Sequence, residues 1–284
     1  MKHRRTRVFS VLCTFAAACT LVATTGCAGA PSPLNPSARG SVGLPYGGVL
    51  TEPVALPRKG KGYVHIKPPG RNYGTRALVD MIQYAAAEVD RQITGPPLKV
   101  GDLSSKTGGK ISNHRSHRSG RDADFIFYTT DLGGARLPAP GWTNFGPDGI
   151  GLAHAGRHGR IYVRLDLERN WLLVKSLMQA PMADVMWLFV SNPIKALITE
   201  YALARGEDPV LVWQAENVMH QPRNALPHDD HFHLRIMCPP GSCVTGCEEG
   251  GPYWPWLDPH PALPWPADDA EVATFLEVDS FPPL

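Results

Sequence analysis

The chain lacks an excess of charge of either sign. Lys and Arg number 28 against 26 Asp and Glu in 284 residues, a formal net of +2. Four of the cations, Lys2, Arg4, Arg5 and Arg7, stand in the first seven positions, and without them 24 basic residues face 26 acidic ones, a net of −2. A near-neutral body has no electrostatic footprint for a phosphate backbone, so no nucleic-acid partner is expected. A long apolar run is also missing. Val8 to Ala23 is apolar but rich in Ala and Thr, and it falls short of the roughly 20 residues a membrane span needs. No internal repeat is present, and no glutamate stands at HExxH spacing, which excludes zinc peptidases that build their site on one helix.

What is there begins with a leader. Basic residues to Arg7 followed by the short apolar stretch read as an export signal over residues 1–26 rather than as part of the fold. Thr24-Thr25-Gly26-Cys27 resembles a lipoprotein cleavage box in which Cys27 is acylated, although Thr24 replaces the usual leucine; ordinary cleavage near Ala28 or Ala30 is the alternative. Residues 27–45, rich in Pro, Ser and Gly, read as a flexible tether. Residues 46–250 are expected to form one domain. Residues 251–284, with eight prolines in 34 positions, read as an extended tail that wraps it. Export places Cys238, Cys243 and Cys247 in an oxidising compartment, where three thiols permit one disulfide in any of its pairings.

Two clusters carry the chemistry. Five of the eleven histidines fall within residues 114–124 and 228–233, in His117-Arg-Ser-Gly120-Arg-Asp-Ala-Asp124 and His228-Asp-Asp-His231-Phe-His233, with His114 just upstream. Neutral imidazole nitrogens and one carboxylate are the ligand types of a catalytic zinc, which takes three and leaves a fourth position for water. In a strand, residues two apart share a face, so His231 and His233 project together while Phe232 and Leu234 enter the core. The same alternation holds for Asp122-Ala-Asp124-Phe-Ile-Phe, with Asp124 near a strand's start. Gly120 lets the chain turn sharply enough for His117 and Asp124 to converge. Together these residues point to metal-dependent hydrolysis.

Around them the pattern is mixed. Leu78, Met81, Ile82, Ala85 and Val89 recur at helical spacing between Thr75 and Ile93. Arg169 to Met178 suggests a second helix and Val185 to Val190 a buried strand. Ser191-Asn192-Pro193 supplies a cap and an early proline for a helix ending at Gly206. Trp142, Trp171, Trp187 and Trp213 are expected in the core, with the lining of a groove as the alternative. His154 and His158 are read as exposed loop residues, with metal contact as the lesser alternative, and His220 as a residue that shapes the loop before the second cluster.

The run Gly108-Gly-Lys-Ile-Ser-Asn-His114-Arg-Ser-His117-Arg-Ser-Gly120-Arg-Asp-Ala-Asp124, followed by His228-Asp-Asp-His231-Phe-His233-Leu-Arg-Ile-Met-Cys238-Pro, resembles the penicillin-insensitive murein endopeptidase family. That family is related to lysostaphin-type and D-Ala-D-Ala peptidases and to the hedgehog signalling domain. The likeness runs from Leu56 to Cys247. It implies an α+β fold, a small central antiparallel sheet carrying the zinc site between helices and long loops. It also implies Zn2+ on His117, Asp124 and His233, with His114 matching a position some members use at the metal. His231 would be the catalytic histidine beside the ion and His228 a further active-site histidine. The implied substrate is the D-alanyl to meso-diaminopimelyl cross-link of peptidoglycan, met in the periplasm by an enzyme anchored through Cys27. Some members place a second metal on an Asp and a His between the motifs, and no DxxH occurs there. The rival readings are a D,D-carboxypeptidase of the same fold, which usually shows a glutamate near the position of His228, and a zinc-stabilised wall-binding module without activity.

Overall fold

The structure is a computed structural model that describes residues 38–257 apart from 155, 157, 158 and 224. The expected export signal, Cys27 and the tail beyond Leu257 lie outside the described residues. No helix among those described is long and apolar enough to cross a membrane.

A seven-stranded sheet organises the fold. In chain order its strands are β1 (Lys59–Gly60), β2 (Tyr63–His65), β3 (Leu98–Val100), β4 (Asp122–Ile126), β5 (Val185–Phe189), β6 (Met219–His220) and β7 (His231–Ile236). Their spatial order is β6-β5-β7-β4-β3-β2-β1. The middle is antiparallel, as expected, with β7 between β5 and β4. The sheet as a whole is mixed and larger than expected, because β5 and β6 run parallel, as do β2 and β3. Parallel pairs need long crossovers, and here each crossover is helical.

Three of the four helices form close to where the sequence pattern placed them. α1 (Arg76–Gln92) starts at Thr75, whose hydroxyl accepts the Leu78 amide at 3.2 Å. α2 (Leu167–Met178) begins two residues before the expected Arg169, because Asp166 is its cap and accepts the Arg169 amide at 3.1 Å. α3 (Asn192–Ala204) carries proline in its first turn, and Gly206 follows with φ 75°. α4 (Pro209–Val218) was not anticipated, although Asp208-Pro209 is a cap and first-turn proline, with Asp208 accepting from the Val210 amide. The helices cover one face of the sheet. Phe232, Leu234 and Ile236 of β7, Ala123 and Phe125 of β4 and Leu188 of β5 are buried there against Leu78, Ile82, Leu173, Val174, Ile194 and Ile198. By alternation, the other face receives His231, His233, Asp122 and Asp124.

Smaller pieces close the edges. A four-stranded sheet of short strands, which includes Thr129–Thr130 and Arg160–Leu165, lies beside the main one. Ser41–Val42, inside the segment expected to be tether, pairs with Val49–Leu50, and Gly43 donates its amide to Gly246 at 2.7 Å. Cys238 and Cys247 form the disulfide, leaving Cys243 as the free thiol. The buried Arg121 guanidinium lies against this loop, near the Gly43 and Glu248 carbonyls and the Glu249 carboxylate. At the start of the expected tail, Trp254 packs into the domain, and its indole donates to the Val185 and Met186 carbonyls.

Candidate metal centre

The centre is assembled on the antiparallel pair β4/β7. Register sets His233 opposite Asp124 and Arg235 opposite Asp122, so four polar side chains line the face away from the helices. Asp124 is third in β4 rather than at its start. His117 enters from the preceding loop with a left-handed backbone, φ 62°, a conformation that a non-glycine residue adopts only when held. Its amide donates to Asp122 Oδ2 at 3.1 Å, which is what holds it. Gly120, at φ 77°, makes the return turn, where a Cβ would come within 2.8 Å of Leu50.

All six expected site residues are brought together. Asp124 Oδ1 lies 3.3 Å from His117 Nε2, 3.5 Å from His231 Nε2 and 3.7 Å from His233 Nδ1. The His114 and His117 rings stand 4.4 Å apart, and those of His228 and His231 5.0 Å apart. Potential ligand atoms of His114, His117 and Asp124 lie within 4.8 Å of one another, as do those of His228, His231 and His233. Zinc ligands at about 2.0–2.2 Å in a tetrahedron stand about 3.3–3.6 Å apart, close to the separations around Asp124.

Both ring nitrogens of His117 and both carboxylate oxygens of Asp124 are buried without a hydrogen bond. Four such atoms in one place are costly, and a shared cation is the partner their chemistry fits. Charge moves in the same direction. Burial alone would raise the Asp124 carboxyl, but His117 and His231 hold it well below the usual range. Burial, and then the neighbouring His117, push His233 down to about 3, leaving it a neutral imidazole of the kind a metal takes. Burial opposes protonation of His231, yet Asp124 and Asp230 raise it to about 9. His228 is lowered by burial and by His231 beside it.

Each of these imidazoles except His117 has its other nitrogen fixed. His233 Nε2 is 3.0 Å from Asp122 Oδ1, and His114 Nε2 is 3.0 Å from Asp102 Oδ2. His231 Nδ1 is 2.5 Å from Asp230 Oδ1, and His228 Nδ1 is 2.8 Å from the Leu226 carbonyl. Fixing one nitrogen sets the tautomer and aims the other. These orienting groups were missed in the sequence, although Asp122 and Arg235 sit on the same period-two faces as Asp124 and His233. Asp102 and its partners Lys67 and Arg71 come from loops with no local signal.

Among the weaker expectations, Trp171 is buried and Trp187 half-buried. Trp142 is instead 41% exposed and Trp213 50%. Trp142 stands edge-on to His231 at 4.8 Å with the Lys67 ammonium 4.7 Å above its ring, so it walls the site instead of filling the core. His154 is exposed but ends a strand, Ile150–His154, rather than lying in a loop. His158 lies outside the described residues. His220 is paired in β6, with its ring 5.0 Å from Trp187.

Fold and site together define a mixed α+β protein with a buried histidine–aspartate centre of metal-binding composition, and comparison with known proteins makes the class a peptidase. The family described as penicillin-insensitive murein endopeptidase matches residues 41–255, and the chain belongs to that family. It is 28% identical over 247 residues to a penicillin-insensitive murein endopeptidase of Haemophilus influenzae, covering 81% of this chain and 77% of that one. Proteins of the same name from Klebsiella pneumoniae and Yersinia pestis are also 28% identical, over 78% and 72% of this chain and 73% and 72% of theirs.

Proposed function

We propose that this chain is a zinc-dependent murein endopeptidase of hedgehog-like fold that hydrolyses the D-alanyl to meso-diaminopimelyl cross-link of peptidoglycan. It works in the periplasm, tethered by lipid at Cys27. The observation that carries the reading is the set of buried, unbonded atoms on His117 and Asp124 beside the neutral ring of His233. His117, Asp124 and His233 would hold the ion, with His114 next to them. A bound zinc supplies water whose pKa is lowered from about 15.7 toward about 7.

The chain's own residues supply the rest. His231, with Nδ1 fixed by Asp230, presents Nε2 to the centre, and the carboxylates beside it favour its protonated form. It is placed to donate to an oxygen that gains negative charge as a peptide carbonyl is attacked. His228, held neutral and anchored through Nδ1 to the Leu226 carbonyl, stands beside it with Nε2 free to take the proton of the attacking water and pass it to the leaving amine. Trp142 keeps bulk water from the open side of His231. No step forms an acyl-serine, so penicillins have no nucleophile to trap.

Incubating the purified mature protein with defined peptidoglycan and identifying products by mass spectrometry tests the reading. Conversion of cross-linked dimers to monomers is expected. Loss of terminal D-alanine alone would make it a carboxypeptidase, and binding without products would make it an inert wall-binding module.

A further inference from the structure

The sheet face that carries the metal centre does not end at His233. The His233 ring lies 5.3 Å from Phe189, Phe189 is 6.0 Å from Trp187 and stacked on it, and Trp187 meets Trp254 at 5.2 Å. Trp254 stacks on Trp256 at 5.0 Å and 7°, and Trp256 meets Trp213 at 5.1 Å. An unbroken line of rings therefore leads from the centre across β5 to the far edge of the sheet. It is a built feature. β6 covers only Leu188 and Phe189 of β5, and the uncovered carbonyls of Val185 and Met186 take the Trp254 indole. The buried Trp254 thereby fixes Trp256 in place. The line surfaces at Trp213 on α4, half-exposed, next to the partly exposed Trp256.

We propose that Trp213 and Trp256 form a second binding site, a stacking platform for the uncharged N-acetylated sugar rings of the glycan strand. The proposal rests on the murein reading above and extends it from the peptide cross-link to the polymer that bears it. The charge distribution favours sugar over stem peptide. Pro209–Val218, which supplies Trp213, carries Glu216 as its one charged residue, and residues 251–257 carry none. A pyranose ring offers an apolar C–H face to an aromatic ring and needs no counter-charge. Peptide carboxylates need cations, and the two segments that carry Trp213 and Trp256 hold none.

The test uses the full mature chain with N-acetylglucosamine hexamer, which has no peptide, as probe. Saturable change in tryptophan fluorescence is expected for the native chain. Binding should be weakened about tenfold or more in Trp213→Ala and largely restored in Trp213→Phe. Since Trp213 is half-exposed, thermal melting should be unchanged. On intact sacculi Trp213→Ala should raise KM with kcat kept, and on a sugar-free cross-linked peptide dimer it should change neither. Absence of hexamer binding by the native chain overturns the proposal, as does equal binding by Trp213→Ala or equal loss on both substrates. Dissociation of a dimer in Trp213→Ala would assign the platform to a second copy and also overturn it. Failure to cleave either substrate while the hexamer still binds would instead refute the endopeptidase reading.

Discussion

Asp122 Oδ1 lies 3.0 Å from His233 Nε2. The same oxygen accepts Arg235 Nε at 2.7 Å, and the other carboxylate oxygen accepts the His117 amide. One buried carboxylate thereby orients two of the proposed ligands, His233 through its ring and His117 through its backbone. Burial would raise the Asp122 carboxyl, but Arg235 and His233 keep it ionised far below the usual range.

Asp122→Asn should therefore act on the metal before it acts on the peptide bond. Loss of such an orienting partner typically costs about 10- to 100-fold in metal affinity or activity. Competition titration with a chromogenic chelator should show that loss in Asp122→Asn with circular dichroism unchanged. Unaltered affinity would mean that Asp122 only pairs with Arg235.

His231→Gln separates proton donation from ion holding. If His117, Asp124 and His233 are the ligands, zinc content should be retained while kcat on cross-linked dimers falls about 10²- to 10⁴-fold, the usual range for a general acid or base. Loss of zinc from the variant would move His231 into the ligand set.

The cysteines give a prediction free of catalysis. Peptide mapping without reductant should link Cys238 to Cys247 and find Cys243 alkylatable. Replacing the linked pair with serine should cost about 2–3 kcal/mol, as expected for a short closed loop. Cys243→Ser should be close to neutral.

How much of this was legible follows from what local sequence encodes. α1 could be read because its apolar stripe and Thr75 cap lie within one segment, and β7 because His-Phe-His alternates a site face with a core face. α2 started early and α4 was passed over for the same reason: Asp166 and Asp208 signal only as caps. The six candidate residues could be picked out because their types and spacing are those of metal ligands, and the fold brings them together. The groups that orient them were not read from the sequence. Asp122 and Arg235 were two residues from known candidates, whereas Asp102, Lys67 and Trp142 reach the site through long-range packing that no short window records. Trp142 and Trp213 were misplaced because aromatic content predicts burial on average and says nothing of a ring held at the surface by a neighbour.

Phe232, between His231 and His233, checks the assignment of faces. It is fully buried and packs edge-to-face on Phe127 at 4.8 Å, so Phe232→Ala should destabilise the fold by about 3–5 kcal/mol in urea denaturation. A change below about 1 kcal/mol would place Phe232 outside the core and reverse the strand.

The most direct measurement is of zinc and cleavage together in the native chain, in chain stripped with EDTA and in His233→Ala. Native protein should hold one zinc at the His117, Asp124 and His233 site and convert cross-linked muropeptide dimers to monomers. The stripped chain should be inactive until zinc is returned, and His233→Ala should neither bind the ion tightly nor regain activity. Cleavage at the native rate by the stripped chain or by His233→Ala would contradict the account.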